Sequence, residues 1–298
     1  MTVTRRALLK GLVAAGGTAA TLGLPVASAA ARERKRPPPD AVGMLYDATR
    51  CIGCKACMVK CKEANGLPPE PGPMKGVYDA PVDLSATTKN VIKLYREGDR
   101  VSFMKAQCMH CVDPACASAC MISALHKGRY GIVEYDPGKC VGCRYCQIAC
   151  PFNVPKYEWY TPFPKIVKCE MCRHRLAEGK VPACVEACPR EAVIFGKLDG
   201  LQADATSRLA REPRRYHPGI YGEKDGGGTQ VLYLSAAGIP FEKLGLPALG
   251  DKPAPELTES LQHAIYQGFV APFVLFSVLG VVIYRNRGKQ PPGEEDRK

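Results

Sequence analysis

The sequence predicts a loop-rich α+β fold whose short elements are held together by metal rather than by one large apolar core. Three observations carry that expectation. The 298-residue chain contains 16 cysteines, and they fall without remainder into four runs of four. Short apolar stretches of strand-like composition recur beside those runs. Aromatic residues make up only 7%, while Pro and Gly number 26 and 29, a composition of turns rather than of extended packed faces.

The cysteine runs come first because their spacing is chemically specific. Cys140, Cys143, Cys146 and Cys150, followed by Pro151, read C-x2-C-x2-C-x3-C-P. Three thiolates this close can wrap one corner of a 4Fe-4S cubane while the tight loop aims backbone amides at its sulfurs, and the fourth opens a helix and reaches another cluster. Zinc is the bland alternative, but zinc sites are built from ligand pairs, commonly with His. Cys51, Cys54, Cys57 and Cys61 repeat the same spacing; Cys108, Cys111, Cys116 and Cys120 read C-x2-C-x4-C-x3-C; Cys169, Cys172, Cys184 and Cys188 read C-x2-C-x11-C-x3-C. Four complete quartets predict four 4Fe-4S clusters, with iron held by all sixteen thiolates. Metal-ligand bonds of that number also contribute folding energy to a chain poor in aromatic residues.

The formal charge of +12 suggests nucleic acid until two corrections are made. The first 29 residues carry Arg5, Arg6 and Lys10 without an acid, so their removal leaves about +9. Each thiolate-bound cluster adds about −2, which brings the loaded protein near neutrality. No nucleic-acid partner is expected.

Along the chain, Thr4-Arg5-Arg6-Ala7-Leu8-Leu9-Lys10, a weakly apolar Gly/Ala stretch and Ala27-Ser28-Ala29 resemble a twin-arginine signal peptide over residues 1–29, with cleavage after Ala29. Such a route exports folded, cofactor-loaded proteins, so clusters can be assembled in a reducing cytosol and disulfides are not expected. Residues 30–42 form a charged, Pro-rich linker. Gly43–Asp47 is predicted to be a strand feeding the first quartet; Val101–Lys105 and Gly131–Tyr135 play the same part before Cys108 and Cys140, and Ala192–Phe195 returns as a strand after Cys188-Pro189. This repetition predicts two ferredoxin-like modules over residues 43–200. Lys62–Gln107 is an insertion whose Pro68–Pro73 stretch predicts a surface loop. In the extension, residues 201–263, Gln202–Arg215 reads as helix and Thr229–Leu234 as strand. Ala264–Tyr284 runs without a charge, long enough for a transmembrane helix, with Glu256 and Glu259 before it and Arg285, Arg287 and Lys289 after it. That charge pattern places the tail, residues 285–298, in the cytoplasm and the cysteines on the periplasmic side of the membrane, anchored by the C-terminal helix.

The quartets resemble the iron-sulfur subunits that accompany molybdopterin oxidoreductases and some hydrogenases. Cys108-Met-His-Cys-Val-Asp-Pro114, Gly142-Cys-Arg-Tyr-Cys146, Asn153-Val-Pro-Lys-Tyr157 and Tyr221–Val231 narrow the resemblance to the ferredoxin-like electron-transfer subunit of membrane-bound, quinone-linked nickel-iron hydrogenase-2. The resemblance implies crossed ligation. Cluster one takes Cys51, Cys54, Cys57 and Cys188; cluster two Cys61, Cys169, Cys172 and Cys184; cluster three Cys108, Cys111, Cys116 and Cys150; cluster four Cys120, Cys140, Cys143 and Cys146. Cys111 fills a place that is Trp in relatives with a 3Fe-4S centre, so four cubanes are implied. Met121 and Lys62 stand where a proline is common after the fourth Cys.

The implied function is electron relay without a catalytic site of its own, between the small and large subunits of the hydrogenase and an integral membrane quinone-reducing subunit at the lipid bilayer. The equivalent subunit of a formate, thiosulfate or polysulfide oxidoreductase is the near alternative, and a structural zinc or disulfide scaffold the distant one. His110 sits inside a complete ligand run and is expected to hydrogen-bond beside a cluster rather than ligate it. Tyr145, Phe152 and Trp159 are expected to shield clusters from water. His263, at the membrane edge, is an isolated candidate for quinone contact.

Overall fold

The first strand, β1 (Val42–Asp47), is buried along nearly its whole length, as an apolar run with no polar alternation requires. It is the middle strand of the main sheet. In the computed structural model, which describes residues 33–69, 81–162, 164–256 and 273–285, two distant segments pair with it. One is β8 (Val193–Lys197), antiparallel with Met44 opposite Phe195; the other is β9 (Val231–Leu234), parallel with Tyr46 opposite Tyr233. All elements named here belong to the compact unit Lys35–Lys298; the preceding residues lie almost wholly outside those described.

The two faces of the sheet bury different things. Leu45, Leu232 and Leu234 pack against a long helix, α6 (Leu198–Arg211), which presents Leu198, Leu201 and Ala205 at intervals of three and four residues. Met44, Tyr46, Val231 and Tyr233 face the other way, into a core that also contains Cys57, Cys108, Cys169 and Cys184. At the end of β1 the fully buried Asp47 accepts hydrogen bonds from Thr49 N, Thr49 Oγ1, Arg208 Nη1 and Tyr216 OH at 3.0, 2.6, 3.1 and 2.9 Å. This knot joins the strand, α6 and the extension four residues before Cys51.

Three hairpins surround the sheet: β2 (Val91–Glu97) with β3 (Arg100–Ala106), β4 (Leu125–Lys127) with β5 (Val133–Tyr135), and β6 (Lys156–Tyr157) with β7 (Ile166–Val167). Between them lie short helices: α1 (Ala56–Ala64), α2 (Ala115–Ser118), α3 (Tyr145–Ala149), α4 (Arg173–Ala177) and α5 (Ala183–Glu186). α1 packs on α5 and α2 on α3, so helices far apart in sequence meet in pairs.

The predicted strands are present with shifted ends. The insertion Lys62–Gln107 is more ordered than its prolines suggested, since β2 lies within it and pairs along all of β3. Helix α6 runs from Leu198 to Arg211: it starts earlier than the predicted Gln202 because the sheet fixes Leu198, and it ends just short of Pro213, the limit to which helix was expected, since a proline disfavours helix in the residue before it. Residues 70–80, in the predicted Pro-rich loop, lie outside the described residues.

No helix among the described residues is long and apolar enough to cross a membrane, which does not support the predicted C-terminal transmembrane helix. Of the expected crossing segment, residues 264–272 are outside the description, as is His263, and residues 273–285 form a helix with mostly exposed side chains.

At Gly43 the backbone just before β9 comes close against β1. A Cβ there would stand 2.3 Å from the Gln230 carbonyl oxygen, which accepts the Met44 amide at 2.9 Å. Gly43→Ala should therefore cost about 1–3 kcal/mol, the usual range for overpacking. Chemical denaturation of the loaded protein checks this, and an unchanged midpoint would show that β9 is not held against β1 at this register.

Candidate iron-sulfur site

Each C-x2-C loop turns in the same way. The residue just before the second cysteine has positive φ in all four: Gly53 (69°), His110 (48°), Gly142 (70°) and Met171 (50°). Gly accepts this conformation freely, whereas His and Met hold it at some cost. The turn brings backbone N–H groups onto sulfur: Gly53 N donates to Cys51 Sγ at 3.5 Å and Met171 N to Cys169 Sγ at 3.4 Å. A second left-handed residue, Lys55, Arg144 or Cys172, then starts α1, α3 and α4 respectively. On α1, Cys57 and Cys61 are four residues apart, hence on one face, and both are buried.

All sixteen cysteines are free thiols. One cavity is lined by Cys51, Cys54, Cys57 and Cys188, with Tyr46, Lys105 and Pro189 beside them; its empty volume is about 360 Å³, the open mouth included. These are the four thiols that the resemblance assigns to cluster one. The neighbours of other thiols also cross the sequence. Burial pushes Cys61 up to about 12, helped by Cys169, Cys184 and Cys172. Burial, then Cys108, Cys116 and Cys150, raises Cys111 well above an ordinary thiol. Burial raises Cys146, the Tyr157 hydroxyl lowers it, and Cys143, Cys120 and Cys140 raise it again.

The sets also touch in series. Cys57 feels Cys184, Cys108 feels Cys169, and Cys116 feels Cys146. Only Cys54 and Cys143 are exposed. The arrangement is thus a row of four thiol groups with an exposed cysteine at each end.

Four thiols lining one cavity fit a cubane, in which each ligand binds its own iron. A second feature that fits is His110. Its Nδ1 accepts the Val133 amide at 3.1 Å, so Nε2 carries the proton, and that buried atom has no partner among the described residues. Burial, then the charges of Lys168 and Lys127, depress its pKa and keep the ring neutral. A cluster sulfide beside it would accept the stranded N–H.

The aromatic residues do not act uniformly as shields. Phe152 is partly buried, but Tyr145 and Trp159 are exposed. Arg144 lies over the Trp159 ring at 4.1 Å, which pins the loop between Cys143 and Cys146. Tyrosine hydroxyls not anticipated from the sequence reach the ligands instead. Tyr157 OH stands 2.7 Å from Cys146 Sγ, and Tyr135 OH accepts the Ile166 amide at 3.2 Å beside Cys140, which helps burial to raise its pKa. The period-two strands that place them are only two and three residues long, too short to signal orientation in the sequence.

Comparison with known proteins agrees with this chemistry. Residues 100–198 match the 4Fe-4S dicluster domain family. The chain is 41% identical to hydrogenase-2 operon protein HybA of Escherichia coli O157:H7, over 95% of this chain and 96% of that protein. The chain belongs to that family. It is also 36% identical to the iron-sulfur subunit of the nitrate-inducible formate dehydrogenase of Escherichia coli K12, over 80% of this chain and 85% of the relative. Another relative is the formate dehydrogenase iron-sulfur subunit of Haemophilus influenzae, 38% identical over 69% of this chain and 68% of its own length. Family membership makes this an iron-sulfur electron-transfer subunit.

A donor on a ligand sulfur stabilises the extra negative charge of a reduced cluster. Tyr157→Phe removes that donor and keeps the ring. Iron and sulfide content should stay at the wild-type level, while one midpoint in an EPR-monitored redox titration moves negative. An unchanged set of midpoints would show that the hydroxyl does not act on a cluster ligand.

Proposed function

We propose that the chain is a relay of four 4Fe-4S clusters, carrying single electrons between a nickel-iron hydrogenase, with its small and large subunits, and an integral membrane quinone-reducing subunit. The observation that supports it most is the row of thiol groups running from exposed Cys54 to exposed Cys143. Each bound cluster supplies a one-electron couple. The chain's residues supply ligation by the crossed sets: Cys51, Cys54, Cys57 and Cys188; Cys61, Cys169, Cys172 and Cys184; Cys108, Cys111, Cys116 and Cys150; Cys120, Cys140, Cys143 and Cys146. The sheet and hairpins keep water from the inner sets and leave the outer ones reachable.

The two ends of the row have different surroundings. Ile52 and Val59 are exposed near Cys54, and Met121, Val141, Tyr145 and Ile148 near Cys143. Ala254 and Pro255 line one cleft with Met121, Tyr145 and Ala149, so the last described residues ahead of the uncharged run 264–284 in sequence lie beside the Cys143 end. On this reading the Cys143 end faces the membrane partner and the Cys54 end the hydrogenase. Arg5-Arg6 and the flanking charges of the uncharged run support export by the twin-arginine route and anchoring on the periplasmic side. The second reading, the matching subunit of a formate dehydrogenase, is favoured by the relatives of that name. Identification of the catalytic subunit that copurifies decides between them.

Elemental analysis of the anaerobically purified protein should give about sixteen iron and sixteen sulfide per chain, four of each per cubane. Cys188→Ser should then alter the EPR signal of the cluster bound by Cys51, Cys54 and Cys57. Loss of the cluster held by Cys169, Cys172 and Cys184 instead would refute crossed ligation, and zinc in place of iron would refute the relay.

Deleting residues 264–298 removes no cysteine. The shortened protein should keep its iron, and hydrogen oxidation with a soluble dye should persist while quinone reduction falls sharply. Unchanged quinone reduction in membranes would show that the segment is not needed for coupling.

A further inference from the structure

Three lysines lie buried or half-buried among the cysteines, and among the described residues none has a carboxylate within reach. Lys105 and Lys168 are 1% and 3% exposed, and Lys127 is partly buried. Their hydrogen bonds go only to neutral acceptors. Lys105 Nζ donates to Gln107 Oε1; Lys168 Nζ donates to the carbonyls of Val133 and, at 3.1 Å, Cys169; Lys127 Nζ donates to the Cys111 carbonyl at 2.9 Å and to Gln230 Oε1 at 2.8 Å. Elsewhere in the described residues, cations such as Arg208 and Arg173 meet acids directly.

Burying an ammonium without an anion costs several kcal/mol even after the protein relaxes, so something besides amide oxygens must offset three such groups. Their charged neighbours are thiols. Lys105 favours the thiolates of Cys57, Cys61 and Cys184, which belong to sets one and two. Lys168 favours those of Cys108, Cys116 and Cys150, all in set three, and its backbone adjoins Cys169 of set two. Lys127 favours Cys111. The cations therefore stand at the junctions of the row, where solvent is excluded.

We propose that Lys105 and Lys168 are the built-in counter-charges of the inner relay, fixed positive groups that hold the buried clusters at potentials close enough to the exposed ends for electrons to pass. The inference rests on the relay reading above. Adding an electron to a dry cluster adds negative charge where water cannot screen it, and burial alone would drive the inner potentials down. A cation at the junction of two sets offsets that for both neighbours at once. Lys105 thus acts on clusters one and two, Lys168 on three and two, and neither acts on cluster four to the same extent.

The test is an EPR-monitored redox titration of the intact complex carrying Lys105→Met or Lys168→Met, with iron and sulfide measured on the same samples. Met keeps the length and removes the charge. Full cluster content is expected, with two midpoints shifted negative in each variant; the two variants share one shifted signal and differ in the other. Lys105→Arg, which keeps the charge, should restore the wild-type midpoints for the first pair. Full content with unchanged midpoints, or one uniform shift of every signal, overturns the proposal. Should one Met variant fail to load its clusters, the other serves a different pair of sets and decides by the same criterion. A wild-type complex without these cluster signals would instead overturn the relay reading itself.

Discussion

A thiolate taken out of water without a cation is costly, and this fold presses cysteines from four distant runs into one another's company. Burial pushes Cys57, Cys61 and Cys116 up to about 12, so as bare thiols they would hold their protons. Iron reverses that preference, because ligation requires the thiolate and releases the proton. The loops are shaped for the ligated state: all four take a positive-φ turn, two of these set an amide on sulfur, and His110 carries an N–H with no acceptor among the described residues. Cluster binding therefore contributes to folding here, in a chain of modest aromatic content.

The rest of the architecture brings those loops together. Because β1 pairs with β8 and β9, residues before the first quartet, after the last, and in the extension share one sheet. Its two faces separate the duties: α6 seals one side, and the cysteines pack on the other. Asp47, held by Thr49, Arg208 and Tyr216, fixes the point at which the chain leaves the sheet for Cys51. The extension is thus part of the cysteine domain's own core rather than an appendage to it. Tyr221–Val231, far from any cysteine in sequence, is tied into the cluster domain: Thr229 pairs with Cys111, and Gln230 alone hydrogen-bonds the carbonyls of Val42 and Tyr130 and receives Lys127.

Much of this was legible because cysteine spacing is a strict chemical code. The strand before each of the first three quartets could be read from short apolar runs. What escaped depends on contacts between distant residues. β2 was hidden because it is half exposed and sits behind a Pro-rich stretch. The parallel pairing of β9 with β1 leaves no local trace. Lys105 and Lys168 look in sequence like any basic residue near a cysteine, and only the fold shows that they are buried without acids. Tyr135 and Tyr157 reach sulfur from strands too short to show a period. The uncharged run near the C-terminus has the composition of a membrane anchor, yet no helix among the described residues has the length to cross a bilayer.

The proposed relay needs a continuous row of four clusters, each close to the next. A reductive titration of the fully oxidised protein, followed to completion by EPR, can refute it. Uptake of about four electrons per chain is expected, one per cubane, with a fully reduced spectrum broadened by magnetic interaction between neighbouring clusters. Uptake of two electrons, or separate sharp signals from clusters that do not interact, would contradict it.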